Sequence, residues 1–196
     1  MNLLDWLFRK KQSVPIEPSA EMLDENLYWK IVAESLEASN NKQEKQEKYL
    51  LKRLQALSTT EIIGFKLRTD KLLYDTYTSE MWCAAYLMNG GCSDDSFEYF
   101  RNWVISRGKN VYYSAKSNPD NLIDIVDNDL EDYDFEGFWF VADNAFERKT
   151  SKNLLDFVLY DQFKFHEGHY PNFDFTREED NPESMRAICP RLFELF

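Results

Sequence analysis

Apolar residues recur along most of the chain at the three- and four-residue spacing of an amphipathic helix. One such stripe runs over residues 24–38, a second follows Asn40 and Asn41, and a third extends over residues 62–77. Residues 81–88 are almost wholly apolar, which predicts a short helix in the middle of the core. The spacing therefore predicts an all-α fold.

Capping residues mark where several of these helices begin and end. Ser58-Thr-Thr-Glu61 combines a hydroxyl cap with an acid in the first turn, which is typical of a helix start. Asn89-Gly-Gly91 predicts a left-handed stop after the apolar helix. Ser93 is predicted to cap the next helix, with Asp94 and Asp95 placed favourably against its positive end.

The remaining helices are predicted from shorter patterns. The helix after Ser93 has a buried stripe and ends at Gly108. The aromatic runs at residues 138–147 and 154–165 favour helices, although such runs are also compatible with strands. Further helices are predicted over residues 111–116, from Asn118 through Val126, and from Asn181 to near Pro190.

The domain organisation predicted is a single compact multi-helix domain over residues 21–196, preceded by a short N-terminal arm over residues 1–20. The arm begins with an apolar and basic stretch whose leucines have helical spacing, and it continues as a linker that contains Pro15 and Pro18. We expect a terminal helix that packs on its own domain or frays. A peptide that docks on a partner or on a membrane surface is the alternative.

The cysteines favour a reduced, cytoplasmic protein. Cys83, Cys92 and Cys189 are odd in number and widely spaced, and the N-terminus lacks the order of charges and the cleavage site of a signal peptide. No apolar run is long enough to span a membrane. Cys92 lies at a helix start, which lowers a thiol pKa, but Asp94 and Asp95 beside it would raise that pKa again, so we predict no nucleophile.

Composition and charge narrow the classes of partner. The 196 residues carry a formal net charge of −12, and 16% of them are aromatic, which predicts a folded protein rather than a disordered acidic chain. Nucleic acid is not an expected partner, since binding phosphates requires clustered Lys and Arg. Binding to a membrane is not expected either, because the short amphipathic arm would bind weakly.

The negative charge is concentrated in an acidic segment, residues 117–147, which holds ten acidic residues, no basic residue and several aromatic residues. We expect these acids to gather on one face and to bind a protein partner with a basic surface, while Phe138, Trp139 or Tyr133 supplies apolar contacts. A solvated face that only maintains solubility is the alternative. The candidate partner-binding residues are Asp127, Asp129, Glu131, Asp132, Tyr133, Asp134, Glu136 and Trp139.

A second group of charged residues shares one face at a helix start. Asp94, Glu98 and Arg101 are spaced four and three residues apart, and Asp95 lies three residues before Glu98. These residues are candidates for catalysis, as oxygen ligands of Mg²⁺ or Ca²⁺ or as a paired acid and base. We favour a structural role instead, in which an aspartate caps the helix and Arg101 pairs with a carboxylate.

Two further motifs resemble metal sites. Residues 132–143 approach the acid spacing of a calcium loop, with Gly137 at its sixth position, although a chance match is expected in so acidic a segment. His166 and His169 lack the helical spacing of a zinc pair, and we expect them to be surface residues in a turn. No cofactor or bound metal is predicted.

Three stretches of the chain together resemble a bacterial family of unknown function, the domain-of-unknown-function family 4240. They are Trp82-Cys-Ala-Ala-Tyr86, Gly90-Gly-Cys-Ser-Asp-Asp-Ser-Phe97 and Phe100-Arg-Asn-Trp103. The resemblance extends from Tyr28 through Asp120, and it includes Cys189-Pro-Arg-Leu-Phe193 near the end. It implies a compact helical domain from a bacterium, and it carries over no activity or catalytic residue. The acid-rich stretch 124–136 lies outside the pattern of the resemblance.

Three functional hypotheses follow from the sequence. The first is a non-enzymatic protein-binding module with an acidic surface, of the type represented by immunity proteins that neutralise nuclease-like toxins. The second is an enzyme that uses Asp94, Asp95 and Glu98. The third is a purely structural acidic domain. We favour the first, because no His or Lys lies near the carboxylates in sequence.

Overall fold

The regular elements are α-helices, as the sequence predicts. The computed structural model describes residues 15–127, 130–163, 170–178 and 181–196. Short 3₁₀ turns occupy Pro119–Ile125, Leu154–Phe157 and Tyr160–Gln162. The α-helices are α1 (Glu25–Ser39), α2 (Gln43–Gln55), α3 (Thr59–Asp75), α4 (Ser79–Asn89), α5 (Asp94–Ser106), α6 (Lys109–Ser117), α7 (Glu136–Thr150), α8 (Pro182–Ile188) and α9 (Pro190–Leu195).

The predicted capping residues lie at the ends of the helices. Ser58 and Glu61 form a reciprocal capping box at the start of α3, in which the backbone N–H of Glu61 donates to Ser58 Oγ at 3.2 Å and that of Ser58 donates to the Glu61 carboxylate at 2.8 Å. Gly90 ends α4 in the left-handed region at φ 63°, which an L side chain would disfavour. These ends follow from local chemistry alone.

The core forms where the helices cross. The apolar helix α4 is buried over Met81–Ala85, as predicted for its composition. Helix α7 packs against α2, α3 and α5, so the second half of the acidic segment lies against the core rather than apart from it. The buried rings of Phe65 and Phe138 lie 6.3 Å apart across the α3–α7 contact.

The predicted helix at residues 154–165 is wrong over the part that the structure describes. Residues 154–162 form short 3₁₀ turns instead, because their backbone pairs with the linker. The N–H of Ser19 donates to the carbonyl of Phe157 at 2.9 Å, and the N–H of Leu159 donates to the carbonyl of Ser19 at 3.0 Å. The end of the linker is therefore attached to the helical body. The predicted helix after Asn118 is likewise a 3₁₀ turn.

A close backbone contact fixes where the chain enters α1. The N–H of Leu23 donates to the carbonyl of Gly64 in α3 at 2.9 Å. A Cβ atom on Gly64 would lie 2.7 Å from the Leu23 nitrogen, so only glycine permits this approach. The predicted helix in residues 1–14 of the arm lies outside the described residues.

Among the described residues, no helix is both long enough and apolar enough to cross a bilayer.

Candidate functional site

The helix α5 begins at the predicted residue, but the aspartates are not its caps. Ser93 is the N-cap, and it forms a reciprocal pair with Ser96: the Ser96 N–H donates to Ser93 Oγ at 3.2 Å and the Ser93 N–H donates to Ser96 Oγ at 2.7 Å. Asp94 and Asp95 are exposed in the first turn, where their charges favour the positive end of the helix. The expectation that an aspartate caps this helix is therefore corrected, because Ser93 fills that position.

Glu98 and Arg101 form a buried ion pair one turn further along α5. The Arg101 side chain is 1% exposed and its Nη2 contacts a Glu98 carboxylate oxygen. Arg101 Nη1 also donates to the Leu73 carbonyl at 2.6 Å, and its Nε donates to the Phe97 carbonyl at 3.3 Å. The Tyr170 hydroxyl donates to Glu98 at 2.8 Å. The predicted pairing of Arg101 is thus present.

Aromatic rings enclose the guanidinium of this pair. Its central carbon lies 4.5 Å from the Phe97 ring centroid, 4.7 Å from that of Tyr170 and 4.9 Å from that of Tyr77. A cation held between rings and satisfied by carbonyls and a carboxylate joins α3, α5 and the segment that contains Tyr170. This arrangement stabilises the fold and leaves Glu98 in the interior.

The three carboxylates of the enzyme hypothesis do not form a shared ligand set. Asp94 and Asp95 face solvent, whereas Glu98 is 6% exposed and already contacts Arg101 and Tyr170. Within the described ranges, no group of three His, Cys, Asp or Glu side chains is placed to hold a metal ion. The geometry gives no support to a metal centre at the start of α5.

Asp94 lies instead at the edge of an aromatic hollow of about 360 Å³. Trp82 and Phe175 line this hollow with their rings 5.2 Å apart at 87°. The Arg177 guanidinium stacks beside them, 5.2 Å from the Phe175 centroid. Of the three carboxylates, Asp94 alone borders the hollow.

The acids of the acidic segment are only partly gathered on one face. Asp120 is buried and accepts hydrogen bonds from the backbone N–H groups of Arg191 and Leu192, at 2.9 Å each, so it caps α9. Asp124 forms an ion pair with the Arg191 side chain. Asp143 is half-buried and acts electrostatically on the buried Lys66. The expectation of a single acidic face is therefore corrected for these acids, which bind parts of the same chain.

Other acids of the segment surround Tyr99 on α5. The Tyr99 hydroxyl donates to Glu136 at 3.2 Å, and its backbone carbonyl accepts from the N–H of Phe135 at 3.0 Å. Burial, followed by the charge of Glu136, raises the pKa of Tyr99, and Asp95 and Asp134 add to this increase. Two groups that are about forty residues apart in sequence thus meet at one tyrosine.

The carboxylates at this position also act on one another. Burial raises the pKa of Asp134, and the charges of Asp132 and Glu136 raise it further. Like charges are therefore held close together, an arrangement that favours the approach of a cation.

Two aromatic residues, the half-buried Trp139 and the exposed Phe140, border these carboxylates. The Trp139 ring lies 5.9 Å from the Tyr99 ring and stacks on Phe140 at 5.4 Å. Trp139 also covers the buried Lys66, whose ammonium nitrogen is 5.9 Å from its ring centroid. Phe140 is 43% exposed. We name the surface formed by Asp95, Tyr99, Asp132, Asp134, Glu136, Trp139 and Phe140 the Tyr99 patch.

Tyr133 is not an exposed contact residue, contrary to the prediction. It is 2% exposed, and its hydroxyl accepts from the Asp127 N–H at 3.2 Å and donates to the Asp127 carbonyl at 3.0 Å. Its ring packs edge-on against Trp103 at 5.0 Å. Tyr133 therefore holds the backbone at Asp127 close to α5, in which Trp103 lies. Phe138 is buried as well.

The other predicted binding residues are placed as follows. Asp127, Glu131, Asp132 and Glu136 are exposed, and Asp134 and Trp139 are half-buried. Asp129 lies outside the described residues. Tyr99 and Phe140 were missed by the sequence reasoning. Tyr99 follows Asp95 by four residues on the same helix, so helical spacing could have found it.

The structure tests one of the two motifs that resemble metal sites. The calcium-loop interpretation of residues 132–143 is wrong, because α7 begins at Glu136 and places Gly137 in its first turn, so the second half of the loop is helical. The two histidines, His166 and His169, lie outside the described residues.

Comparison with known proteins identifies a family but no characterised relative. No curated protein and no solved structure matches the chain. The model of one family, described as "Protein of unknown function (DUF4240)", matches residues 23–148. The match runs through the acid-rich stretch 124–136, so this stretch does not lie outside the family as the sequence suggested, whereas Cys189–Phe193 is not included. A match over this much of the sequence means that the chain belongs to that family.

Proposed function

We propose that the protein is a non-enzymatic protein-binding module and that its Tyr99 patch binds a partner with a basic surface. The observation that carries this proposal is the meeting of Asp95, Asp134 and Glu136 around Tyr99, next to the half-buried ring of Trp139 and the exposed ring of Phe140. Asp95 and Glu136 are exposed and Asp134 is half-buried, so three negative charges lie near one another at this surface.

The two components of the patch have different roles in binding. Carboxylates that are held close together create a negative potential, which accelerates the approach of a basic partner and weakens as salt is added. Exposed aromatic rings contribute apolar area that is desolvated on contact, and such residues often dominate binding energy. Phe140 fits this second role because 43% of it is exposed although it stacks on Trp139.

We further propose that the partner is a protein with a basic active-site cleft, such as a nuclease toxin, and that this chain acts as its immunity protein. The charge of −12, the helical fold and the acidic patch support this proposal. A cleft that binds nucleic acid carries clustered Lys and Arg, and a patch of carboxylates with aromatic neighbours can compete for it.

The experiment compares two triple variants in capture from a lysate of the organism that makes the protein. The patch variant is Asp95→Asn, Asp132→Asn, Glu136→Gln. The control variant, Glu17→Gln, Glu44→Gln, Glu183→Gln, removes the same charge from exposed residues elsewhere.

We expect the wild type and the control to retain the same basic protein at low salt and to release it at high salt. The patch variant should bind it with an association rate about tenfold lower, and Phe140→Ala should mainly raise the dissociation rate. Equal loss in both triple variants would mean that net charge alone is responsible. Retention that does not change with salt would contradict the proposal.

A further inference from the structure

A groove on another part of the molecule lies between α1, α2, the end of α5 and the 3₁₀ turn Pro119–Ile125. It has a volume of about 640 Å³, within the range of small-molecule sites. A neighbouring hollow of about 570 Å³ shares Leu36, Asn41 and Arg107 with it, so the two form one continuous depression. Asn40 and Asn41, at the turn between α1 and α2, both have positive φ, which shapes one wall.

Arg107 lies where the two hollows meet. Its Nη2 donates to the Gln46 side-chain oxygen at 2.7 Å and its Nε donates to Ser106 Oγ at 3.1 Å. Burial lowers the pKa of Arg107 to about 10. Among the described residues no carboxylate lies within 4 Å of its guanidinium, although Asp127 acts on it from further away. A half-buried cation whose hydrogen bonds, among the described residues, go to neutral groups favours an anion.

The hydrogen-bond partners of Arg107 differ from those of the buried Arg101. Arg101 lies in α5, six residues before Arg107 at the C-cap, and it has a carboxylate, carbonyls and three rings as partners. Arg107 has its Nη1 group directed to no protein acceptor in the described ranges. The difference indicates that Arg101 uses its hydrogen-bond donors within the fold, whereas Arg107 has N–H groups that can bind a ligand.

The rest of the groove is mostly apolar, with a few polar groups. Trp103 lines it, is 1% exposed, and has an indole N–H with no hydrogen-bond partner within the described part of the chain. Asn41 and Gln43 supply amides at one side. The apolar wall consists of Leu36, Val111, Ile125, Val126 and Leu130.

We propose that this groove binds a small organic acid, with its carboxylate on Arg107 and its hydrocarbon part against the apolar wall. One guanidinium matches one planar carboxylate through paired hydrogen bonds. A polyanion is a poorer match, because Asp127 lies in the same wall and repels additional negative charge.

The test uses sodium hexanoate as the probe and 1-hexanol as its uncharged counterpart. Binding is followed by the shift of the Trp103 indole N–H signal in ¹H–¹⁵N NMR spectra. We expect hexanoate to shift this signal and to bind about tenfold more tightly than hexanol, because only hexanoate forms charge-assisted hydrogen bonds.

Two variants in the groove and one control variant outside it distinguish a loss of hexanoate binding from a loss of folding. Arg107→Gln should reduce the affinity for hexanoate about tenfold and remove the preference over hexanol. Leu130→Asp, which retains Arg107 but adds a carboxylate to the same groove, should also weaken hexanoate binding, because that carboxylate repels hexanoate and competes for Arg107. Arg186→Gln, at an exposed arginine outside the groove, should leave it unchanged.

The proposal fails if hexanoate at concentrations up to about 10 mM does not shift the Trp103 signal, because a Kd above that value is too weak for a specific site. It also fails if hexanol binds as tightly as hexanoate, or if both groove variants fold and bind like the wild type.

Discussion

Replacing Arg101 by Met should destabilise the protein far more than the loss of one surface ion pair would. Met has a similar length but no charge, so the change leaves the Glu98 carboxylate in the interior with Tyr170 as its remaining hydrogen-bond donor from the network described. It also removes the donors that satisfy the carbonyls of Leu73 and Phe97. Breaking a buried pair in this way costs about 3–5 kcal/mol of unfolding free energy.

The size of this loss can be measured by thermal and urea unfolding. For a chain of this length, each kcal/mol corresponds to roughly 2–4 °C, so Arg101→Met should lower Tm by about 6–20 °C. The double variant Glu98→Gln, Arg101→Met removes the buried negative charge together with the arginine and should recover at least about 2 kcal/mol of that loss, which measures the coupling between the two residues.

Arg186→Met is the matched control. Arg186 is 46% exposed and contacts Glu183 and Glu194 at the surface, where an ion pair contributes less than about 1 kcal/mol. The reasoning is refuted if Arg101→Met costs no more than this control, or if the double variant is as unstable as the single one.

Three further changes probe other parts of the molecule. Gly64→Ala should lower the unfolding free energy by about 1–3 kcal/mol in urea titrations, because its Cβ meets the Leu23 backbone, despite the better helix propensity of Ala. Burial raises the pKa of Cys92 to about 11, so its alkylation, followed by mass spectrometry, should accelerate about tenfold per pH unit up to pH 10 rather than level off near pH 9. Asp120→Ala should remove the cap from Leu192, cost about 1–2 kcal/mol, and expose the C-terminal helices to early proteolysis; unchanged cleavage would contradict that role.

The helices could be predicted from sequence where local chemistry determines them. Ser58 with Glu61 and Ser93 with the following turn are capping signals that need no information from the rest of the fold, and both mark real helix starts. The run at residues 154–165 could not be predicted in this way. Its aromatic spacing resembles a helix, but backbone hydrogen bonds with Ser19, more than a hundred residues away, replace the helical pattern.

The candidate site was predicted less completely, because it depends on which segments meet. The charge of the acidic segment is evident from the sequence, but its division between internal partners and the surface is not. Asp120 caps a helix that begins about seventy residues later, and Tyr133 turns inward to hold its own loop. Arg107 gave no local signal, since its hydrogen bonding to Gln46 and Ser106, and to no carboxylate among the described residues, is a property of the packed helices.

The contact between Tyr170 and Glu98 bears on where the folding unit of this chain ends. The family match stops at residue 148, yet the hydroxyl that covers the buried carboxylate comes from residue 170. A fragment trimmed to the matched span would admit water to a charge that the intact chain shields. In this chain, therefore, the body that buries Glu98 includes sequence beyond the span that the family model matches.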